Sequence, residues 1–249
     1  MDADKKRKSA FFRARPRPIN LMRAVKVDPA EKLRALRENP YFDHLAEADL
    51  RQVAGYTALH EFARGETLFL EGDPCAGLHI VHSGCIKLYR LSPQGRQYIV
   101  RLAQEKDTFN EVSVFDVGTN PVNTEALETS RVWVAEAECV RRMVAASPDF
   151  AQKVINNLGQ NLRNLVRAVS EMAFYQVTHR LARLISQSPT EEAARLTQEQ
   201  LAARLGTVRE VVARSLRELE RSGAIRSENR RILIANPEIL GQWAQGPWN

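Results

Sequence analysis

Residues 197–220 read TQEQLAARLGTVREVVARSLRELE. The stretch divides into two short helices at Leu205-Gly206-Thr207. Thr197 and Thr207 stand where N-caps belong, and Gln200 and Glu210 follow each at the three-residue step of a capping box. Gly206 sits at the sharp turn, where the absence of a Cβ helps. Leu201, Leu205, Val208, Val212, Leu216 and Leu219 recur at three- and four-residue steps, so one face buries while the other stays polar. Arginines near the start of the second helix suit such a pair to the major groove of DNA.

Working outward, residues 177–188 predict a preceding helix. Ala224-Ile225-Arg226 and Arg231-Ile232-Leu233-Ile234 predict a short hairpin after the pair. Three helices and a two-stranded hairpin describe a winged helix over residues 177–249. Upstream, residues 148–176 predict one long helix. Ile155, Leu162 and Val169 repeat every seven residues, as do Leu158, Leu165 and Met172. The interleaved series are the a and d positions of a two-stranded coiled coil, which predicts a dimerisation helix.

Residues 56–137 have another texture. Runs such as ETLFLEG, CIKLYRL and RVWVAEA alternate apolar and polar residues between glycines, which predicts an antiparallel β-barrel or jelly roll within residues 29–147. Residues 29–39 and 45–54 read as short helices ahead of it. The fold class is therefore α+β. Residues 1–28 read as a basic disordered tail: nine Lys and Arg against three Asp and Glu carry the whole net charge of +6. The remainder is balanced, acidic by three over 29–176 and basic by three over 177–249, a polarity that suits a DNA-facing rear. Cys75, Cys85 and Cys139 are widely spaced, which excludes a disulfide framework and suits the reducing cytoplasm. No run of about 18 apolar residues predicts a membrane span. No nucleophile elbow, HExxH or P-loop points to an enzyme.

Barrel, long helix and winged helix in this order resemble the cyclic AMP receptor protein/fumarate–nitrate regulator (CRP/FNR) family of bacterial transcription factors. The resemblance covers about residues 35–235. It rests on FARGETLFLEGDPCAGLHIVHSGCIKLYRL in the barrel, MAFYQVTHRLARLI at the hinge and VREVVAR in the rear domain. It implies a homodimer on double-stranded DNA at a palindromic promoter site, where RNA polymerase is recruited or blocked. Arg209-Glu210-Val211-Val212-Ala213-Arg214 matches the Arg-Glu-x-x-x-Arg of the family's cyclic AMP receptor-like branch, which implies TGTGA-like half-sites. A guanidinium donates twice to guanine O6 and N7, and a carboxylate accepts from the cytosine amino group. Arg209, Glu210 and Arg214 are the expected base contacts. Glu210 has a competing role in the Thr207 capping box, and Arg214 in ion pairs with Glu210 or Glu218. Thr197, Gln200, Arg230 and Arg231 are phosphate candidates.

The effector cassette departs from the cyclic AMP-binding pattern FGELxLFxxxxxRSA. Here Phe109-Asn110-Glu111-Val112-Ser113-Val114-Phe115 continues to Asn120-Pro121-Val122-Asn123. Glu111 is kept and the resemblance gives it the ribose hydroxyl, but Pro121 stands at the phosphate-binding Arg and Val122 at the Ser. On the long helix, Leu165-Val166 replaces the Thr-Ser that faces the adenine. An anionic phosphate needs a compensating cation when buried, so cyclic AMP is not the expected ligand. Asn110, Glu111, Val122, Asn123, Leu165 and Val166 are the effector-pocket candidates. They suit a small, apolar or weakly polar effector, or a barrel that takes no ligand. No metal site or cofactor is expected: of the three histidines open to a haem or metal, His60, His79 and His82, the last two flank an apolar strand stretch and read as core or surface residues, and no cation marks Cys75 as activated.

Overall fold

The computed structural model describes residues 24–187, 196–228 and 231–246. It divides into two compact units. The first takes the chain up to Tyr89 together with Arg101–Leu158; the second takes Arg90–Val100 and everything from Gly159 onward.

The described chain opens with β1 (Ala24–Val25), α1 (Pro29–Arg37) and α2 (Glu47–Gly55), then β2 (Thr57–Phe62), β3 (Gly77–Ser83), β4 (Ile86–Leu91), β5 (Gln97–Ala103) and β6 (Thr108–Phe109). There follow α3 (Glu111–Asp116), β7 (Asn123–Ala126), β8 (Ser130–Glu136), α4 (Ala137–Ala146) and the long helix α5 (Pro148–Phe174). The strands form two antiparallel sheets, ordered β1-β2-β8-β3-β6 and β5-β4-β7. Val81, Phe109, Val132 and Val134 from the first sheet meet Ile86, Leu88, Ala103 and Ala126 from the second in one apolar core. The other face of the five-stranded sheet presents Leu59, Leu78, Ile80, Trp133 and Ala135 to a helical layer. Leu36, Leu50, Val53, Val140, Met143, Phe150 and Val154 of that layer cover it. Strand β8 is thus buried on both sides, which is why VWVA runs apolar without alternation.

Two local features differ from the sequence expectation. Residues 24–25, assigned by composition to the tail, pair with β2 through Ala24–His60 and Val25–Leu59; residues 1–23 of that tail lie outside the described residues. Two-residue pairing of this kind leaves no periodic signal. The cassette also contains α3, whose preceding residue Asn110 is left-handed at φ 73°.

In the second unit α5 is followed by α6 (Val177–Gln187), α7 (Gln198–Leu205), α8 (Arg209–Arg221), β9 (Ile225–Glu228), β10 (Arg231–Ile234) and α9 (Pro237–Gln245). The hairpin registers Ile225 against Ile234 and Glu228 against Arg231. Leu181, Ile185, Leu201, Leu205, Val212, Leu216, Leu219, Ile225 and Leu240 make its core. Helix α9 adds Leu240 and, at its edge, Trp243; Asn236 caps it by accepting from the Glu238 and Ile239 amides.

Along α5, Ile155, Leu162, Leu165, Val166, Val169 and Met172 stand exposed, with Leu162 60% open. Seven of the twelve exposed large apolar side chains among the described residues lie on this helix, so its stripe is concentrated rather than scattered. Leu158 departs from the heptad reading: it is half-buried and packs on the helical core of the first unit. The first turns of α5 already serve that core through Phe150 and Val154, and Leu158 continues their row at the i+4 step.

Candidate nucleic-acid interface

Helix α8 turns Val212, Ser215, Leu216 and Leu219 inward. That leaves Arg209, Glu210, Arg214 and Arg217 exposed on the opposite flank. The turn before it is closed by α7: Gly206 is left-handed at φ 65°, a conformation glycine adopts without cost. Arg180 from α6 adds a hydrogen bond from Nη1 to the Leu205 carbonyl at 2.9 Å. At the start of α7 the capping box forms in both directions. The Gln200 amide donates to Thr197 Oγ1 at 3.2 Å, and the Thr197 amide donates to Gln200 Oε1 at 2.8 Å.

The second capping box does not form. The N-cap of α8 is Val208, with no side-chain cap, because the Thr207 amide is spent on the Ala202 carbonyl that ends α7. Glu210 is therefore released from the role that competed with base reading. Arg214 makes no ion pair with Glu210 or Glu218; the Glu218 carboxylate instead accepts from Thr178 Oγ1 at 2.9 Å. Arg209 is engaged on the surface: its Nε lies 3.2 Å from Glu199 Oε1, with both side chains more than 60% exposed. Such a pair is worth about 0–1 kcal/mol and yields readily to a better acceptor. Thr197 and Arg231 are exposed and Gln200 is half-buried, whereas Arg230 lies outside the described residues.

In the first unit the cassette polar groups are bonded to one another. Asn110 Nδ2 donates to Asn120 Oδ1 at 2.9 Å and Ser113 Oγ donates to Asn110 Oδ1 at 2.9 Å. Thr108 Oγ1 donates to Glu111 Oε1 at 2.7 Å. Asn123 accepts from the Glu71 amide at 3.1 Å and donates to the Tyr89 carbonyl at 3.4 Å. Val122 packs against the inter-sheet core. Asn110, Glu111 and Asn123 are all buried. Leu165 and Val166 belong to the second unit, where both are exposed.

The histidines are separated by role. His79 is buried between Phe69 and Phe109, with ring centroids 5.1 and 4.9 Å away, and its Nδ1 is hydrogen-bonded to the Gly77 carbonyl at 2.9 Å. Burial pushes it down to about 4, so it is neutral. His82 instead meets the Trp133 edge and lies 3.9 Å from Glu31. Among the described residues no three His, Cys, Asp or Glu gather as a metal site would require. Burial pushes the Cys75 thiol up, away from an activated thiolate.

Known proteins carry both halves of this architecture. A model of the cyclic nucleotide-binding domain matches residues 59–147, and one of the Crp-like helix-turn-helix domain matches residues 176–243. A cyclic AMP-activated, CRP-like global transcriptional regulator of Mycobacterium tuberculosis is 29% identical over 195 residues, spanning 74% of this chain and 87% of its own. Among solved structures, a Crp/Fnr-family regulator from Eubacterium rectale superposes with a TM-score of 0.71 at 20% identity, covering 83% of this chain and 98% of its own. The c-di-GMP-responsive global regulator of Xanthomonas campestris gives 0.65 at 18% identity, covering 77% and 100%.

The chain belongs to the CRP/FNR family. It is a DNA-binding transcription regulator of CRP/FNR type, and the family consists of regulators rather than enzymes. Among the described residues no helix is long and apolar enough to cross a membrane. Two parts of this CRP/FNR rear domain escaped the sequence reading. Helix α9 was signalled by Asn236-Pro237, a capping residue before a proline at the first helical position. The contacts of Thr178 with Ser215 and Glu218, and of Arg183 with the Ala244 carbonyl, had no local signal, since these partners lie tens of residues away.

Proposed function

We propose that the chain works as a cytoplasmic homodimer on an inverted repeat of TGTGA-like half-sites, with Arg209, Glu210 and Arg214 on the base edges. The observation that carries this reading is their exposure on one flank of α8 while the other flank fills the core. Thr197, Gln200 and Arg231 border that flank in sequence and suit phosphate oxygens. The exposed stripe of α5 supports a dimer, because a free helix seldom leaves Ile155, Leu162, Leu165, Val169 and Met172 in water. A promoter-bound dimer then acts by contacting RNA polymerase or by blocking it.

The Mycobacterium tuberculosis relative is named for activation by cyclic AMP. This chain carries no cation at positions 120–123, where Pro121 and Val122 stand. A buried cyclic phosphate would lack its counter-charge there. The effector we propose is a small molecule other than cyclic AMP. A second reading is a regulator whose barrel takes no ligand, and the mutual bonding of Asn110, Asn120 and Ser113 favours it.

The test is fluorescence anisotropy at fixed salt, titrating the protein into a TGTGA palindrome and a scrambled duplex, with and without cyclic AMP. Tight binding to the palindrome, unchanged by nucleotide, is expected. Equal affinity for the scrambled duplex overturns the base contacts, and binding that appears only with cyclic AMP overturns the cassette argument.

A further inference from the structure

Arg183 lies on α6, away from the reading flank, yet it joins four segments of the second unit. Its Nη1 donates to Glu171 Oε1 of α5 at 2.9 Å. Its Nε and Nη2 both donate to the Ala244 carbonyl of α9, at 3.0 and 2.7 Å. Its guanidinium lies over the ring of Tyr175, in the joint between α5 and α6, with Cζ 4.3 Å from the ring centroid. The contact is mostly closed to water: the Arg183 side chain is 18% exposed and that of Glu171 28%. Gly246 also comes close to the joint, since a Cβ there would stand 2.6 Å from the Tyr175 ring.

From α6 the connection continues to the reading helix. Thr178 Oγ1 lies 2.9 Å from Ser215 Oγ and 2.9 Å from Glu218 Oε2, both on α8. Helices α5 and α8 are therefore linked through two polar contacts on one intervening helix. A planar guanidinium satisfies the first contact in a way an ammonium does not: it forks to two acceptors and stacks on a ring at once.

We propose that Arg183 is a positioning residue for DNA recognition. By fastening the end of α5 to α6 and α9, it fixes the direction in which α8 leaves the dimer helix. It thereby sets which spacing between half-sites the dimer accepts. The proposal rests on the homodimer reading above. In a two-fold dimer each half-site must meet its reading helix at a set distance along and around the duplex, so slack at the joint appears as tolerance of wrong spacings.

The experiment compares wild type, Arg183→Ala, Arg183→Lys and Glu171→Gln. Affinity is read by anisotropy on inverted repeats with the spacer lengthened or shortened by one and two base pairs, and on a single half-site. Light scattering gives the mass, and thermal unfolding reports the fold. The expected result for Arg183→Ala is a dimer whose single-half-site affinity stays within about twofold of wild type. Its preference for one spacer falls by about fivefold or more. Arg183→Lys and Glu171→Gln, which perturb less, are expected to lose an intermediate share. A spacer preference unchanged in all three variants overturns the proposal. So does a parallel loss on the single half-site, which marks a merely structural role. A monomeric wild type that does not distinguish paired from single half-sites overturns the dimer reading instead, and the mass measurement separates the two failures.

Discussion

Arg214 stands exposed on the outward flank of α8, and neither of its in-helix acids pairs with it. Replacing it by alanine removes no packing, so its effect belongs to recognition. Arg214→Ala is expected to cost about 1–3 kcal/mol of binding and to relax specificity at one base position of each half-site. A panel of single-base operator variants checks this; a uniform loss across all sequences points to a phosphate contact instead. His79 carries the clearest pH dependence. Folded, it is pushed down to about 4 by burial, against 6.5 for a free imidazole. Above pH 6.5 both states are neutral and the group contributes nothing. As pH falls from 6.5 toward 4, the unfolded chain alone takes up the proton, and stability drains by about 1.4 kcal/mol per pH unit. Burial shifts His60 in the same direction. Denaturant titrations over this range should show the acid limb flatten in His79→Gln, and parallel limbs would reject the assignment.

At the scale of elements, the stripe on α5 and the cap of α7 make separable predictions. Leu162→Glu puts a carboxylate from each copy at one level of the proposed seam. It is expected to weaken the dimer by about 3 kcal/mol or more, read by sedimentation equilibrium. The fold of either unit should be unchanged, since Leu162 is exposed in the single chain. Thr197→Ala removes the hydroxyl that accepts from the Gln200 amide, at an expected cost of about 1 kcal/mol in unfolding free energy. That cap was legible because its signals are local: a threonine, a glutamine three residues on and an apolar repeat behind them. Thr207, with Glu210 three residues on, offered the same spacing and misled. Its amide was already committed to ending the previous helix, and two helices separated by so short a turn compete for the same residues. Leu158 misled for a related reason: a heptad repeat says that a residue is buried by something, not by which partner. Strand β1 is held by its pairing with β2, which no local pattern announces. Arg183 was illegible for the same cause, its partners being Glu171, Tyr175 and Ala244 on three other segments.

The whole molecule joins a first unit of cyclic nucleotide-binding-domain type, rich in long-range strand pairing, to a second unit made largely of helices. Order along the chain and the winged hairpin followed from periodicity and turn residues. The state of the cassette did not, because sequence shows which polar groups are present but not that Asn110, Asn120 and Ser113 bond to each other. Strand β8 lies between β2 and β3 and is covered on both faces. Its peptide hydrogens can exchange with deuterated solvent only when the first unit opens as a whole, so they keep time for that opening. A compound that binds the folded first unit slows the clock by the factor its occupancy dictates, about a hundredfold at a hundred times its dissociation constant. Mass spectrometry of the β8 peptide thus becomes a label-free screen for a metabolite of unknown identity, needing neither an operator nor a guess about the gene it controls.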